Sequence, residues 1–166
     1  MHIRNGCIRR REQQLKEKIM TEYTIRITKP SKTKDEIQKR CHALGFDPLD
    51  TALTILTNYG SITIGTNQIL GFSDRKPTAE KQPSTLIETI TQYEQAKGLP
   101  KGYVVIQRFA IGKYRPYENI IMDKWGDLYK CPLYDGINQI ENKTRIHKTF
   151  EEYITDMFKD WMQSLN

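Results

Sequence analysis

Apolar positions along the chain follow two rhythms. The clearest is at the end, where Phe150, Tyr153, Ile154, Met157, Phe158, Trp161, Met162 and Leu165 recur every three or four residues. That spacing predicts an amphipathic helix. Thr149-Phe150-Glu151-Glu152 supplies a capping box at its start, and packing against a sheet is the expected fate of its wide apolar stripe. Similar signals occur earlier. Thr33 to Glu36 reads as a second capping box, followed by Ile37, Cys41 and Leu44, with Gly45 as the stop. Asp47-Pro48 reads as the start of a further helix burying Ala52, Leu53, Leu56 and Tyr59 and ending at Gly60. Pro83-Ser84 opens another, with Leu86, Ile90 and Tyr93 on one side and Gly98 at its end. Ile8, Leu15, Ile19 and Tyr23 also share one side of an expected helix from Arg9 to Tyr23.

Between these helices the pattern shortens to β-rich runs broken by Gly and Pro. Ile62 to Ile64 and Ile69 to Phe72 flank a hairpin signal at Gly65-Thr66-Asn67. Tyr103 to Ile106, Ile120 to Met122 and Asp127 to Cys131 follow, with a linking loop after the first and the turn Lys124-Trp125-Gly126 before the last. The order is α, αα, ββ, α, several β, α. Segregated runs of this kind predict an α+β fold. The expected form is a mainly antiparallel sheet of about five to six strands with helices packed on one side.

Composition narrows the classes. A chain of 166 residues suits one domain, here expected over 9–166 behind a disordered basic leader at 1–8. Met20 is an alternative start, and using it would delete the leader helix. No apolar run approaches the ~20 residues that span a bilayer, and the N-terminus has no secretory apolar region. The cytoplasm is the simplest expected location. Cys7, Cys41 and Cys131 are odd in number and widely spaced, so they do not form a disulfide framework. Cys41 and His42 are neighbours on a helix and point apart, giving a buried thiol beside a surface imidazole and not a metal pair. The net charge is +6, but residues 1–19 hold six basic residues against two acidic ones and carry +4 of it. A basic leader on a near-neutral body is a poor nucleic-acid footprint, which normally needs a coherent cationic stripe.

Catalytic patterns are not found. The glycines make no phosphate-cradling loop, and there is no Gly-x-Ser-x-Gly elbow. Asp123 and Asp127 flank a turn, where acidic residues are ordinary. His147 precedes a helix with no visible partner for acid–base work. No catalytic residue, metal ligand or cofactor is therefore expected. The richest cluster is Lys113-Tyr114-Arg115-Pro116-Tyr117, with Trp125 further on. Tyr, Trp and Arg dominate binding hot spots because they bury much area at little entropic cost. Tyr114, Arg115, Tyr117 and Trp125 are the candidate partner-binding residues. The alternative is a crossover loop whose tyrosines merely cover the sheet edge.

Several stretches together resemble the SUKH superfamily and, within it, the YobK-like immunity proteins. They are Leu56-Thr57-Asn58-Tyr59-Gly60, Ile69 to Phe72, Glu88 to Tyr93 followed by Gly98 to Ile106, Gly126 to Tyr129, and Thr149 to Ile154. The resemblance covers about four-fifths of the chain from first helix to last. It implies a SUKH-like α+β fold. For bacterial members it also implies a non-enzymatic immunity protein that binds and neutralises a cognate toxin domain. The alternative within the family is a regulatory or scaffold interaction module, and nucleic-acid binding through the basic leader ranks below both.

Overall fold

The structure is a computed structural model and describes residues 25–28, 32–72, 86–111 and 115–165, with the backbone alone at Ile111 and Arg115. The leader, its expected helix, the loop at 73–81 and Pro83-Ser84 lie outside the described residues. The elements are β1 (Arg26–Ile27), α1 (Lys34–Ala43), α2 (Asp50–Asn58), β2 (Ile62–Ile64), β3 (Asn67–Ile69), α3 (Ile87–Gln95), β4 (Tyr103–Ile111), β5 (Arg115–Asp123), β6 (Leu128–Tyr134), β7 (Ile137–Asn138), a 3-10 turn (Ile140–Asn142), β8 (Thr144–Ile146) and α4 (Phe150–Ser164). This is an α+β fold with mainly antiparallel sheets. In place of one sheet of five to six strands, the described residues form two sheets: a three-stranded one, β1-β2-β3, and a five-stranded one, in which β4-β5-β6-β7 run in order and β8 also pairs with β6.

The two sheets meet at a bulge. Val105 pairs with Ile121 and Gln107 with Ile120, so Ile106 is an extra residue in β4. Its carbonyl accepts the Leu70 N–H at 2.7 Å, just beyond the end of β3. One residue further back, the Val105 N–H donates to Thr91 Oγ1 on α3 at 3.0 Å. The outer edge of β4 is thus covered by β3 and α3 and is not left as a free ladder. Val104, Val105 and Ile106 are all buried, as are Ile120, Ile121 and Met122. Consecutive buried residues mean that both faces of the central hairpin are covered, which is why these runs read as continuous and not alternating.

The helix boundaries follow local chemistry, with three corrections. Thr149 and Glu152 form the expected reciprocal capping box of α4. Thr33 accepts the Glu36 N–H, but the Glu36 carboxylate turns to Lys32 Nζ at 3.9 Å instead of closing the box. Gly45 ends α1 and Gly98 follows α3, both at positive φ. The start of α2 falls at Asp50, not at Asp47-Pro48. The Leu49 N–H is held by the Lys124 carbonyl at 2.8 Å, and Asp47 Oδ1 contacts His42 Nε2 at 2.9 Å, so this stretch stays extended. Gly60 is not a left-handed helix stop, because α2 ends at Tyr59 in extended conformation. Gly60 is needed for close approach: its N–H meets the Thr28 carbonyl at 2.6 Å, and its own carbonyl lies against Gly71.

Other differences concern which side of an element is buried. In α3 the buried residues are Ile87, Thr91 and Glu94, while Tyr93 is 52% exposed. The helix is turned from the expected side because Thr91 and Glu94 find polar partners inside. In α4, Phe150 and Met157 are buried and Tyr153, Ile154 and Trp161 are partly covered, but Phe158, Met162 and Leu165 are exposed. Only half of the stripe packs. The strands β4 and β5 also run through most of the expected linking loop, since Gln107, Arg108 and Asn119 are paired across the sheet.

A methyl group on Gly71 would overlap the Gly60 carbonyl and force two backbone segments apart. Gly71→Ala is therefore expected to destabilise the fold by about 3 kcal/mol or more, in the range of overpacking combined with backbone displacement. Urea denaturation checks this, and an unchanged midpoint would contradict the close approach.

Candidate interaction surface

The turn between β5 and β6 is fixed by one side chain. Asp123 is buried, and its Oδ1 accepts the Trp125 and Asp127 N–H groups, each at 3.0 Å. Its Oδ2 accepts the Tyr129 hydroxyl at 3.1 Å. Partial burial, and then Asp123 itself, hold that hydroxyl above the ordinary phenol value. Gly126 takes φ +90, which suits the residue without a Cβ. The Asp123 carboxylate is thus spent on the turn, as the acidic flanks suggested.

What the turn presents is apolar and outward. Trp125 is 56% exposed, with Lys124 Nζ 4.5 Å from its ring centre. The Leu49–Lys124 backbone bond brings Leu49, itself 45% exposed, alongside the same turn. Trp125 lines an open cleft of ≈ 620 Å³ between the start of α2, the β5–β6 turn, β8 and the start of α4. Asp50, Asp127, Glu151 and Glu152 line it, against Arg145 and Lys148. Some of this charge is already paired, Asp127 with Arg145 at 3.4 Å and Asp50 with Lys34 at 3.4 Å. The lining remains locally acidic on a basic chain. His147 lines the cleft as an exposed residue.

The sequence-derived hot spot does not assemble around one point. Tyr114 lies outside the described residues. Arg115 opens β5, so it belongs to a strand and not to a crossover loop. Tyr117 is also in β5, at a second bulge between the Glu118–Phe109 and Pro116–Ala110 pairs. It is 44% exposed, and its ring stacks on Phe109 at 6.3 Å. Tyr117 lies six residue steps from Asp123 along the strand, about 20 Å at ~3.3 Å each. Trp125 and Tyr117 therefore sit at opposite ends of β5. Leu49 was missed, since Asp47-Pro48 signalled an earlier helix start and nothing local links Leu49 to the distant turn.

Inside the fold lies a second polar group, around Glu94. Glu94 is fully buried, with Oε1 2.9 Å from Arg108 Nη2 and Oε2 accepting from Asn138 Nδ2 at 2.7 Å. Asn138 also donates to the Lys97 carbonyl through both its backbone N–H, at 2.9 Å, and its side chain, at 3.1 Å. Asn119 Nδ2 donates to Asn138 Oδ1 at 2.8 Å. These contacts cap the end of α3 and fasten β7 to it, so the arrangement is a clasp. Cys41 and Cys131 are equally internal. Burial first, then the charges of Glu88 and Glu94 respectively, pushes their thiols up to about 12 and about 11 from 9.0. Such thiols are poor nucleophiles. Among the described residues, no group of three or more His, Cys, Asp or Glu is placed to hold a metal ion, and no helix is long and apolar enough to cross a membrane.

No protein-family model matches the chain, and no curated protein matches it. The class established by the fold is therefore an α+β protein with mainly antiparallel sheets.

Two measurements follow from the interior groups. Asn138→Ala strips a donor from buried Glu94 and uncaps α3, and is expected to cost about 3 kcal/mol in urea denaturation. A loss under about 0.5 kcal/mol would show that the clasp carries no load. The thiols give a pH dependence. Unfolded Cys41 ionises near 9.0, while the folded thiol stays protonated to about 12. Its contribution is complete below pH 9 and is lost as pH rises towards 12. Between pH 8 and 10 the native protein should lose about 1 kcal/mol more than Cys41→Ala. Equal losses would contradict a buried neutral thiol.

Proposed function

We propose that this is a bacterial immunity protein of the SUKH type, acting in the cytoplasm by seating a cognate toxin domain on the surface around Trp125. The observation that carries the reading is Trp125 on a turn held by Asp123, at the rim of an acidic cleft and with Leu49 alongside the turn. A large aromatic on a fixed turn is the kind of anchor around which binding energy concentrates. The local acidity supports opposition to a basic substrate groove, such as that of a nuclease toxin, and complementary charge of this kind speeds association. Neutralisation requires covering the toxin's active site or substrate path, not transforming anything. A stable complex of this type buries ~1,600 Å² in total, and the Trp125 surface would form its centre. The likeness of the motif stretches from Leu56 to Ile154 to the SUKH proteins supports the same reading.

The test is co-expression with a toxin domain encoded beside this protein's gene, followed by affinity measurement on the purified pair. Protection of the host is expected. Trp125→Ala should weaken binding by about 2 kcal/mol or more, roughly thirtyfold, with Leu49→Ala weaker in the same direction. Both variants should keep the native melting temperature to within the scatter of surface substitutions. Lack of protection, together with capture of housekeeping proteins only, would favour a scaffold module instead. Neutral effects at both residues in a protective pair would move the interface elsewhere.

A further inference from the structure

Beyond β6 the five-stranded sheet has two outer strands, β7 and β8, and their edges differ. Along an antiparallel pair, residues turn their N–H and C=O groups alternately towards and away from the neighbouring strand. Which residues of β6 face outward is fixed at its far end. Tyr134 pairs with Ile137 across the two-residue turn Asp135-Gly136, and the Gln139 N–H donates to the Pro132 carbonyl at 2.9 Å. The even-numbered residues of β6 therefore address β7 and β8, and Pro132 sits where its missing N–H costs no bond with β5. Leu128 and Lys130 accordingly bond with Ile146 and Thr144, while Tyr129 and Arg145 pair without backbone bonds between them. The Arg145 N–H and C=O point out of the sheet.

The equivalent position on β7 is Asn138, paired with Leu133, and its outward N–H is taken by the Lys97 carbonyl at 2.9 Å. Among the described residues, nothing comparable reaches the Arg145 N–H or C=O. Thr144 and Arg145 are exposed. This open edge also runs along the surface already described, because Arg145, Ile146 and His147 line the same cleft as Trp125. In that lining the carboxylates of Asp50, Asp127, Glu151 and Glu152 outnumber Arg145 and Lys148, and Lys148 is drawn off to Asp156. A second copy of β8 would set Arg145 opposite Arg145 or His147, with Lys148 close by, and like charges opposite one another disfavour pairing. A basic strand from another protein has no such conflict.

We propose that the partner seated at Trp125 adds an extended basic strand along β8. Its backbone exchanges hydrogen bonds with the outward N–H and C=O of Arg145, and a Lys or Arg side chain enters the cleft. Main-chain bonds of this kind supply affinity, and the cleft selects the side chain. The inference rests on the Trp125 surface being the partner's seat.

Hydrogen exchange at the Arg145 amide, read by 15N NMR, tests it in the free protein and in the complex with the toxin domain encoded beside the gene. In the free protein this amide should exchange faster than those of Thr144 and Ile146, which bond to β6. Complex formation should slow it at least tenfold. Affinity gives a second measure. Arg145→Pro deletes the outward N–H and leaves the β6 ladder alone, whereas Arg145→Ala removes the side chain only. The proline variant should bind at least tenfold more weakly than the alanine variant, and if it does not fold, the exchange experiment decides. Glu151→Gln should slow association at least twofold. An unchanged rate would remove the basic character of the strand. Binding that depends on Trp125 while the Arg145 amide stays fast would overturn the added strand alone. A protected amide with binding indifferent to Trp125→Ala would keep the strand and remove Trp125 as the anchor. Protection already present in the free protein would overturn the proposal, assigning the edge to a second copy if it rises with concentration and to the chain itself if it does not. Absence of any binding would sink both readings.

Discussion

The extra residue at Ile106 is the constraint on which the architecture turns. A regular β4 would direct the Ile106 carbonyl elsewhere, and Leu70 would have no acceptor on the neighbouring sheet. With the bulge, a three-stranded and a five-stranded sheet share a backbone hydrogen bond, and α3 closes the remaining edge through Thr91. The close approach of Gly60 and Gly71 belongs to the same junction, because Leu70 immediately precedes Gly71. Backbone geometry at a few positions thus decides how two small sheets cover a single core.

Polar side chains then fix what burial leaves loose. Hydrophobic contact is non-directional and sets no particular rotation of a helix on a sheet. Glu94, with partners on β4 and β7, sets the rotation of α3. Asp123 does the same for the β5–β6 turn. Asp123 accepts from two backbone N–H groups and a phenol, while Glu94 pairs in charge with Arg108 and accepts from Asn138, so each carboxylate fixes the position of its element. The turn that carries Trp125 is thereby held in one position.

Local signals were legible where the interaction partners are close in sequence. The Thr149–Glu152 box, the glycine stops at Gly45 and Gly98, the Gly126 turn and the buried runs of β4 and β5 are all of this kind. Long-range partners hid the rest. Thr91 and Glu94 look like solvent residues until Val105, Arg108 and Asn138 are brought to them. Gln107, Arg108 and Asn119 look like loop residues until they pair across the sheet. Trp125 was recognisable by residue type, but its neighbour Leu49 depends on a backbone bond between segments distant in sequence. The separation of Tyr117 from Trp125 was hidden for a simpler reason: a straight strand carries close sequence neighbours far apart.

The bond from Leu49 to the Lys124 carbonyl has a kinetic meaning for the partner proposed at Trp125. A tryptophan on a loose loop must surrender its freedom on capture, and that loss slows or weakens the union. Here the rim has been stiffened beforehand, from one side by Asp123 and from the other by the entry to α2. Encounter should resemble the meeting of two hard bodies, with shape tolerated or refused at first touch and little room for mutual adjustment.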